Sequence, residues 1–186
     1  DSTFVTKMAD DIPGAHDIQG RIGAYWHGNE PCHQILYFYN YLKQPWKCQE
    51  KLRYIMDTFY GNTPGSLSGN DDCGQMSAWY IFNTMGFYPT APSSNVYNLG
   101  SPGLPAVDMC MSNGKHIRVT TKNWSKKNVY VKEIYLNGEK YNKSYITYND
   151  IKDGMDLHFV MSACPNYKRG ISDDAVPPSI SEKKCK

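Results

Sequence analysis

The chain has 186 residues, 40% of them hydrophobic and 20% charged, with a formal net charge of +2, which suits one large globular domain or two small ones with a real core. Its basic residues are scattered, with no run longer than a pair such as Lys126 with Lys127 or Lys183 with Lys184, so no continuous basic face exists for nucleic acid. No apolar run approaches the roughly 20 residues of a membrane span, and no basic segment followed by an apolar one marks a signal peptide at Asp1.

In chain order, residues 3–11 read as a short helix stopped by Pro13 and Gly14. Residues 31–42 read as a helix with Pro31 in its first turn and Ile35, Tyr39 and Leu42 on one face. Pro45 begins a second helix reaching about residue 60. Its buried face is Cys48, Leu52, Ile55, Met56 and Phe59, spaced by threes and fours. Residues 61–69, rich in Gly, Ser, Asn and Pro, form a loop. A third helix is predicted over 73–87, with Met76, Trp79, Phe82 and Met85 inward and Gly86 and Pro89 as its stop.

Composition changes near residue 89. Residues 96–99, 106–111, 116–121, 128–136, 145–148 and 155–161 read as short antiparallel strands, with hairpin turns at Asn113-Gly114 and Asn137-Gly138. The polar tail after Pro165 holds Pro177 and Pro178 and is expected to be irregular or frayed. Three helices cannot close a helical domain, and six short strands cannot cover both their faces, so both halves read as parts of a larger body. Six cysteines (Cys32, Cys48, Cys73, Cys110, Cys164 and Cys185) permit disulfides by their even count, but no CxxC pair marks a metal site. The sequons at Asn123-Trp124-Ser125 and Asn142-Lys143-Ser144 are weak pointers to secretion.

Two clusters carry the candidate chemistry: His27-Gly28-Asn29-Glu30-Pro31 and Gly69-Asn70-Asp71-Asp72-Cys73-Gly74-Gln75. Each sets carboxylate and amide oxygens at a helix entrance, where a hard cation such as calcium or a sugar hydroxyl can be held. A carboxylate there can also act as a general base toward water. The plainer reading is capping. Asp72 followed by Gln75 fits a capping box, and Asn29 or Glu30 suits the start of the helix after Pro31. An EF-hand is excluded, because the twelfth residue from Asn70 is Ile81 rather than Glu. His27 and His33 flank the first cluster, and Trp26, Trp46 and Trp79 are candidates for sugar stacking, although Trp79 lies on an apolar helix face. Cys73 has no identifiable histidine partner for nucleophilic work. The tyrosines of residues 37–41 read as helix packing.

Residues 28–60, GNEPCHQILYFYNYLKQPWKCQEKLRYIMDTFY, and residues 69–89, GNDDCGQMSAWYIFNTMGFYP, resemble glycoside hydrolase family 92. The later YNLGSPGLPAVDM, Asn113-Gly114-Lys115, Leu136-Asn137-Gly138 and Ala163-Cys164-Pro165-Asn166 keep that family's order, so the resemblance covers roughly residues 20–170. It implies a calcium-dependent exo-α-mannosidase that removes terminal mannose from α-linked, mostly 1,2-linked, mannosides of N-glycans with inversion, in a secreted or lumenal setting. It implies Asp72 as the general base and Asp71, at the variable position, as second candidate. Asn29 and Glu30 correspond to the calcium ligands, with His27, Trp26 and Asn70 as substrate-binding candidates around them. The family's chain is several times longer, with an N-terminal β-sandwich and an (α/α)6 toroid. Residues 1–90 would then be the toroid's last helices, 91–166 an antiparallel, sandwich-like β region and 167–186 a tail. The partners implied are mannose-terminated glycans, the rest of the catalytic domain and the N-terminal sandwich. The family's general acid is a Glu in an EGxxWQY-like segment before the NEP motif. Residues 1–27 contain no Glu, so the chain alone is expected to be inactive. The competing expectations are a non-catalytic carbohydrate-binding relative and a structural β-sandwich module with attached helices.

Overall fold

The computed structural model describes residues 20–179. The helix predicted over 3–11, the pair Lys183 with Lys184, and Cys185 lie outside the described residues. A small hairpin of β1 (Arg21–Ile22) and β2 (Tyr25–Trp26) opens the described chain.

The helix predicted over 31–42 is broken. Two 3-10 turns, Glu30–Cys32 and Ile35–Tyr37, run into the four-residue α1 (Phe38–Tyr41). The tighter winding of a 3-10 turn, three residues rather than 3.6, rotates the buried face off the expected one. Leu36, Tyr37 and Asn40 are therefore buried, while Ile35 and Leu42 are 40% and 62% exposed. The Asn40 Nδ2 donates to the carbonyls of Leu99 (2.9 Å) and Ser144 (3.2 Å), tying this segment to two parts of the β region.

Helix α2 (Pro45–Phe59) follows the sequence pattern closely, with Cys48, Leu52 and Ile55 fully buried. Two buried polar residues on it reach into the β region. Gln49 Oε1 accepts from the Val131 backbone at 3.0 Å, and the Arg53 guanidinium donates to the carbonyls of Pro102 and Ser125, each at 3.2 Å. A side chain at Gly100 would overlap Leu52, so glycine is what lets this helix approach the strands so closely. Helix α3 (Gln75–Met85) buries Met76, Trp79 and Met85 and ends at Gly86, whose φ of 83° makes the left-handed C-terminal cap. The chain turns at once into β3 (Phe87–Tyr88), whose first residue the periodicity reads as helix.

The remaining strands are β4 (Val96–Leu99), β5 (Ala106–Cys110), β6 (His116–Lys122), β7 (Tyr130–Leu136), β8 (Glu139–Lys140), β9 (Tyr145–Thr147) and β10 (Met155–Ser162), with the single-turn helix α4 (Tyr148–Ile151) after β9. They form a three-stranded sheet, β3-β4-β9, and a five-stranded sheet, β5-β6-β10-β7-β8. The β region is not wholly antiparallel as expected, because β6 and β10 pair in parallel. A parallel pair needs a long crossover, and residues 123–154 supply it. The turn at Asn137-Gly138 has φ of 50° and 86°, the left-handed geometry of a tight hairpin.

Alternation along β10 sends Met155, Leu157, Phe159 and Met161 inward, where they join Phe87, Leu99, Val119, Ile134 and Ile146 in one core cluster. A second cluster of Leu36, Tyr37, Leu52, Ile55 and Trp79 lies beneath the helices, and Phe82 packs against both. The tail is irregular but not frayed over its described part. Ala175 and Arg169 are buried, the Ser144 backbone donates to the Ala175 carbonyl at 2.8 Å, and Arg169 donates to the Lys143 carbonyl at 3.1 Å. It is ordered because these contacts satisfy buried polar groups that would otherwise be stranded. All five described cysteines are free thiols. Among the described residues no helix is long and apolar enough to cross a membrane.

Candidate active site

Asp72, Cys73 and Gly74 have φ values of 42°, 60° and 89°. Three consecutive left-handed residues, two of them not glycine, are costly and are retained where a structure needs the side-chain direction they give. Helix α3 consequently starts at Gln75 with Gly74 in the capping position, and no side chain of the expected Asp72–Gln75 box caps it. Asp71 takes over that role. Its Oδ1 accepts the backbone N–H of Ser77 at 2.9 Å, and its Oδ2 accepts the Ser77 hydroxyl at 3.0 Å. Asp71 is thereby committed to the helix start, and Asp72 is left exposed.

Asp72 lines a groove of about 470 Å³ together with Glu30, Pro31, Gln34, Gln75 and Tyr88. The two oxygen-rich clusters, 42 residues apart (72 − 30) in the chain, thus meet at one place through Glu30 and Asp72. Glu30 opens the first 3-10 turn, directly before Pro31. One of its oxygens, Oε1, is buried without a hydrogen-bond partner. A backbone hydrogen bond favours the Glu30 carboxylate, but burial and the neighbouring Asp72 carboxyl outweigh it and raise its pKa above the ordinary value. Two carboxyls this close repel unless a proton or a cation sits between them.

Neither Asn29 nor Glu30 caps its turn through a side chain; Asn29 Nδ2 instead makes a long contact of 3.8 Å to the Cys32 thiol. Calcium takes six to eight oxygens. The stranded Glu30 oxygen and the adjacent Asp72 suit a hard cation as part of such a shell. Among the described residues no group of three or more His, Cys, Asp or Glu side chains gathers to complete one.

His27, expected at the substrate, is instead fully buried. Its Nδ1 pairs with the Tyr25 hydroxyl at 2.8 Å and its Nε2 with the Tyr60 hydroxyl at 2.6 Å, leaving no ring nitrogen for a ligand. It stacks on His33 at 4.8 Å and meets the edge of Trp79 at 4.4 Å. Burial, with the neighbouring His33, pushes its pKa down to about 3, so it is neutral. Trp26 is half-buried with the Arg21 guanidinium 4.9 Å above its ring, and Asn70 is exposed outside the groove lining. Trp46 meets Tyr167 edge-on, and Trp79 is a core residue.

The place of two groove residues is not visible in the sequence. Tyr88 sits on β3 and Gln75 on the first turn of α3, and they bond to each other at 2.9 Å. Gln75 reads as a cap by spacing, and nothing local reveals that it shares a groove with Glu30.

Residues 1–163 match the family model for the glycosyl hydrolase family 92 catalytic domain. A family GH92 α-mannosidase from Bacteroides thetaiotaomicron, solved in complex with mannoimidazole, is 70% identical with a TM-score of 0.92, over 94% of this chain and 23% of that one. A family GH92 inverting mannosidase from the same organism is 36% identical with a TM-score of 0.78, over 84% of this chain and 21% of that one. An uncharacterized secreted glycosidase of Arthroderma benhamiae is 29% identical over 156 residues, 82% of this chain and 20% of that protein. The chain therefore spans less than a quarter of the length of each of these relatives.

Proposed function

Because the chain belongs to glycoside hydrolase family 92, we propose that it supplies the water-activating side of an inverting exo-α-mannosidase site. The reading rests on one observation, the meeting of Glu30 and Asp72 in a single groove. In inverting hydrolysis one carboxyl protonates the leaving oxygen while another, on the opposite face of the sugar, takes a proton from the attacking water. Asp72 is the base: it is exposed, unpaired with the helix and directed by a strained turn. Asp71, the second candidate, has both oxygens engaged by Ser77 and acts as the anchor of that turn.

Glu30, with Asn29 beside it, would hold calcium, using the Glu30 oxygen that lacks a protein partner. When bound, the cation supplies positive charge that mannose hydroxyls can engage. The rest of its shell and the general acid, in this reading, belong to other parts of the protein, in keeping with a chain that spans less than a quarter of the length of these relatives. In this reading the helices belong to an (α/α)6 toroid completed by the remaining catalytic domain and an N-terminal β-sandwich. The substrates are α-linked, mostly 1,2-linked, mannosides of N-glycans. The secreted relative from Arthroderma supports an extracellular or lumenal place of work.

Calorimetry and turnover on the full-length protein test this. Asp72→Asn is expected to keep mannose binding and lose turnover by at least about a hundredfold. Undiminished turnover in that variant would remove Asp72 from the reaction. A second measurement is mannose release by the isolated chain, which is expected to be nil.

A further inference from the structure

His33 is buried, with its backbone carbonyl accepting from Trp79 Nε1 at 3.4 Å and its ring packed against His27 and Trp79. Its Nε2 lies 2.9 Å from the backbone carbonyl of His27. A carbonyl only accepts, so Nε2 carries the proton. Burial lowers the His33 pKa, with the His27 carbonyl bond partly opposing. The other nitrogen, Nδ1, is therefore a bare acceptor.

The Gln75 amide lies 3.2 Å from that nitrogen. Only its NH₂ end can face a lone pair, since the carbonyl end would be repelled. The same NH₂ donates its second hydrogen to the Tyr88 hydroxyl at 2.9 Å. Both amide protons are thus used inside the protein, and a flip would set the amide oxygen against the Nδ1 lone pair, so His33 rather than the Tyr88 hydroxyl, which can pair with either end, fixes the orientation. The carbonyl oxygen, Oε1, is turned the other way. No donor among the described residues reaches it, and Gln75 lines the groove beside Glu30 and Asp72.

We propose that Gln75 is a ligand-contacting residue of this groove, its Oε1 accepting a hydrogen bond from a hydroxyl of the bound sugar, and that His33 is the positioning residue that fixes the amide's direction. The inference deepens the mannosidase reading and rests on it. It adds to the two carboxyls a neutral acceptor whose orientation is set from behind. Such an acceptor prefers an O–H donor over a carboxylate or a halide, which offer it none.

The experiment is calorimetric titration of the full-length, calcium-loaded protein with mannose, with melting curves as the control for folding. Gln75→Met removes the oxygen at similar length and is expected to weaken mannose binding about five- to tenfold. His33→Leu removes the acceptor behind the amide and is expected to weaken binding to a similar extent. His33→Asn places an oxygen where Nδ1 stood and is expected to recover most of the affinity, a rescue that a merely structural loss would not give. Wild-type affinity in Gln75→Met overturns the proposal. Equal loss in His33→Asn and His33→Leu overturns the positioning role. A wild-type protein that does not bind mannose sinks the functional reading and this inference together, whereas wild-type binding with an unaffected Gln75→Met sinks this inference alone.

Discussion

The Asp71 carboxylate grips Ser77 with both oxygens, one on the backbone nitrogen at 2.9 Å and one on the hydroxyl at 3.0 Å. Adjacent carboxylates at 71 and 72 are thereby given different roles. Asp71→Ala is expected to destabilise the fold by about 1–2 kcal/mol, the usual loss for a helix start without its cap. Asp72→Asn is expected to change stability by less than about 0.5 kcal/mol, since the side chain is exposed. Chemical denaturation of both variants checks the contrast, and equal destabilisation would contradict it.

In the proposed reading, calcium and Glu30 are linked through charge. Without the cation the Glu30 and Asp72 carboxyls oppose each other, so Glu30→Gln is expected to raise the melting temperature in chelator. With calcium at about a hundred times its Kd, wild type is expected to gain roughly 2.7 kcal/mol by mass action. The variant is expected to gain far less. Melting of the full-length protein in calcium and in chelator reads both effects.

His27 gives a pH dependence with a definite sign. Its folded pKa of about 3 lies below the ordinary 6.5, so between those values the unfolded chain binds the extra proton. Stability is fully present above pH 6.5 and falls as pH drops toward 3, by up to about 1.4 kcal/mol per pH unit for this one group. His33 is shifted in the same direction. His27→Phe is expected to flatten the slope while lowering stability at neutral pH, because the Tyr25 and Tyr60 hydroxyls lose their shared partner. Denaturation midpoints across this range test it.

Arg53 is a buried cation that joins α2 to the loops at Pro102 and Ser125, with its guanidinium 5.6 Å from the Trp124 ring centroid. Arg53→Ala leaves two carbonyls without donors and a void beside Trp124. The expected loss is about 2–4 kcal/mol, measurable by denaturation. A change below about 0.5 kcal/mol would mean that these loops find other partners.

Much of the fold is legible in the sequence because burial repeats at fixed periods. Helix α2 announces itself through Cys48, Leu52 and Ile55, and β10 through its alternation from Met155 to Met161. The segment around Ile35 misleads because a 3-10 turn carries a different period from the α-helix. The parallel pairing of β6 with β10 joins residues far apart in the chain, such as Ile117 and Met155, and no local signal encodes it. At the groove, the two acidic clusters are visible as clusters. The division of labour between Asp71 and Asp72 is not, because it depends on three left-handed residues in a row. His27 looks like a ligand-binding histidine beside a motif; only tertiary packing reveals the two tyrosine hydroxyls that occupy it.

The position of β10 bears on how the protein comes to be made. It follows every other described strand in the chain, yet it lies in the middle of the five-stranded sheet, between β6 and β7. On the ribosome, β5 with β6 and β7 with β8 emerge as two separate hairpins, each with an inner edge that has nothing to pair with. The central strand that joins them, ending at Ser162, is the last of the sheet to be synthesised. The nascent chain therefore carries two open, aggregation-prone edges until synthesis has passed this point. A chain stopped before residue 155 would leave the two hairpins without the strand that joins them.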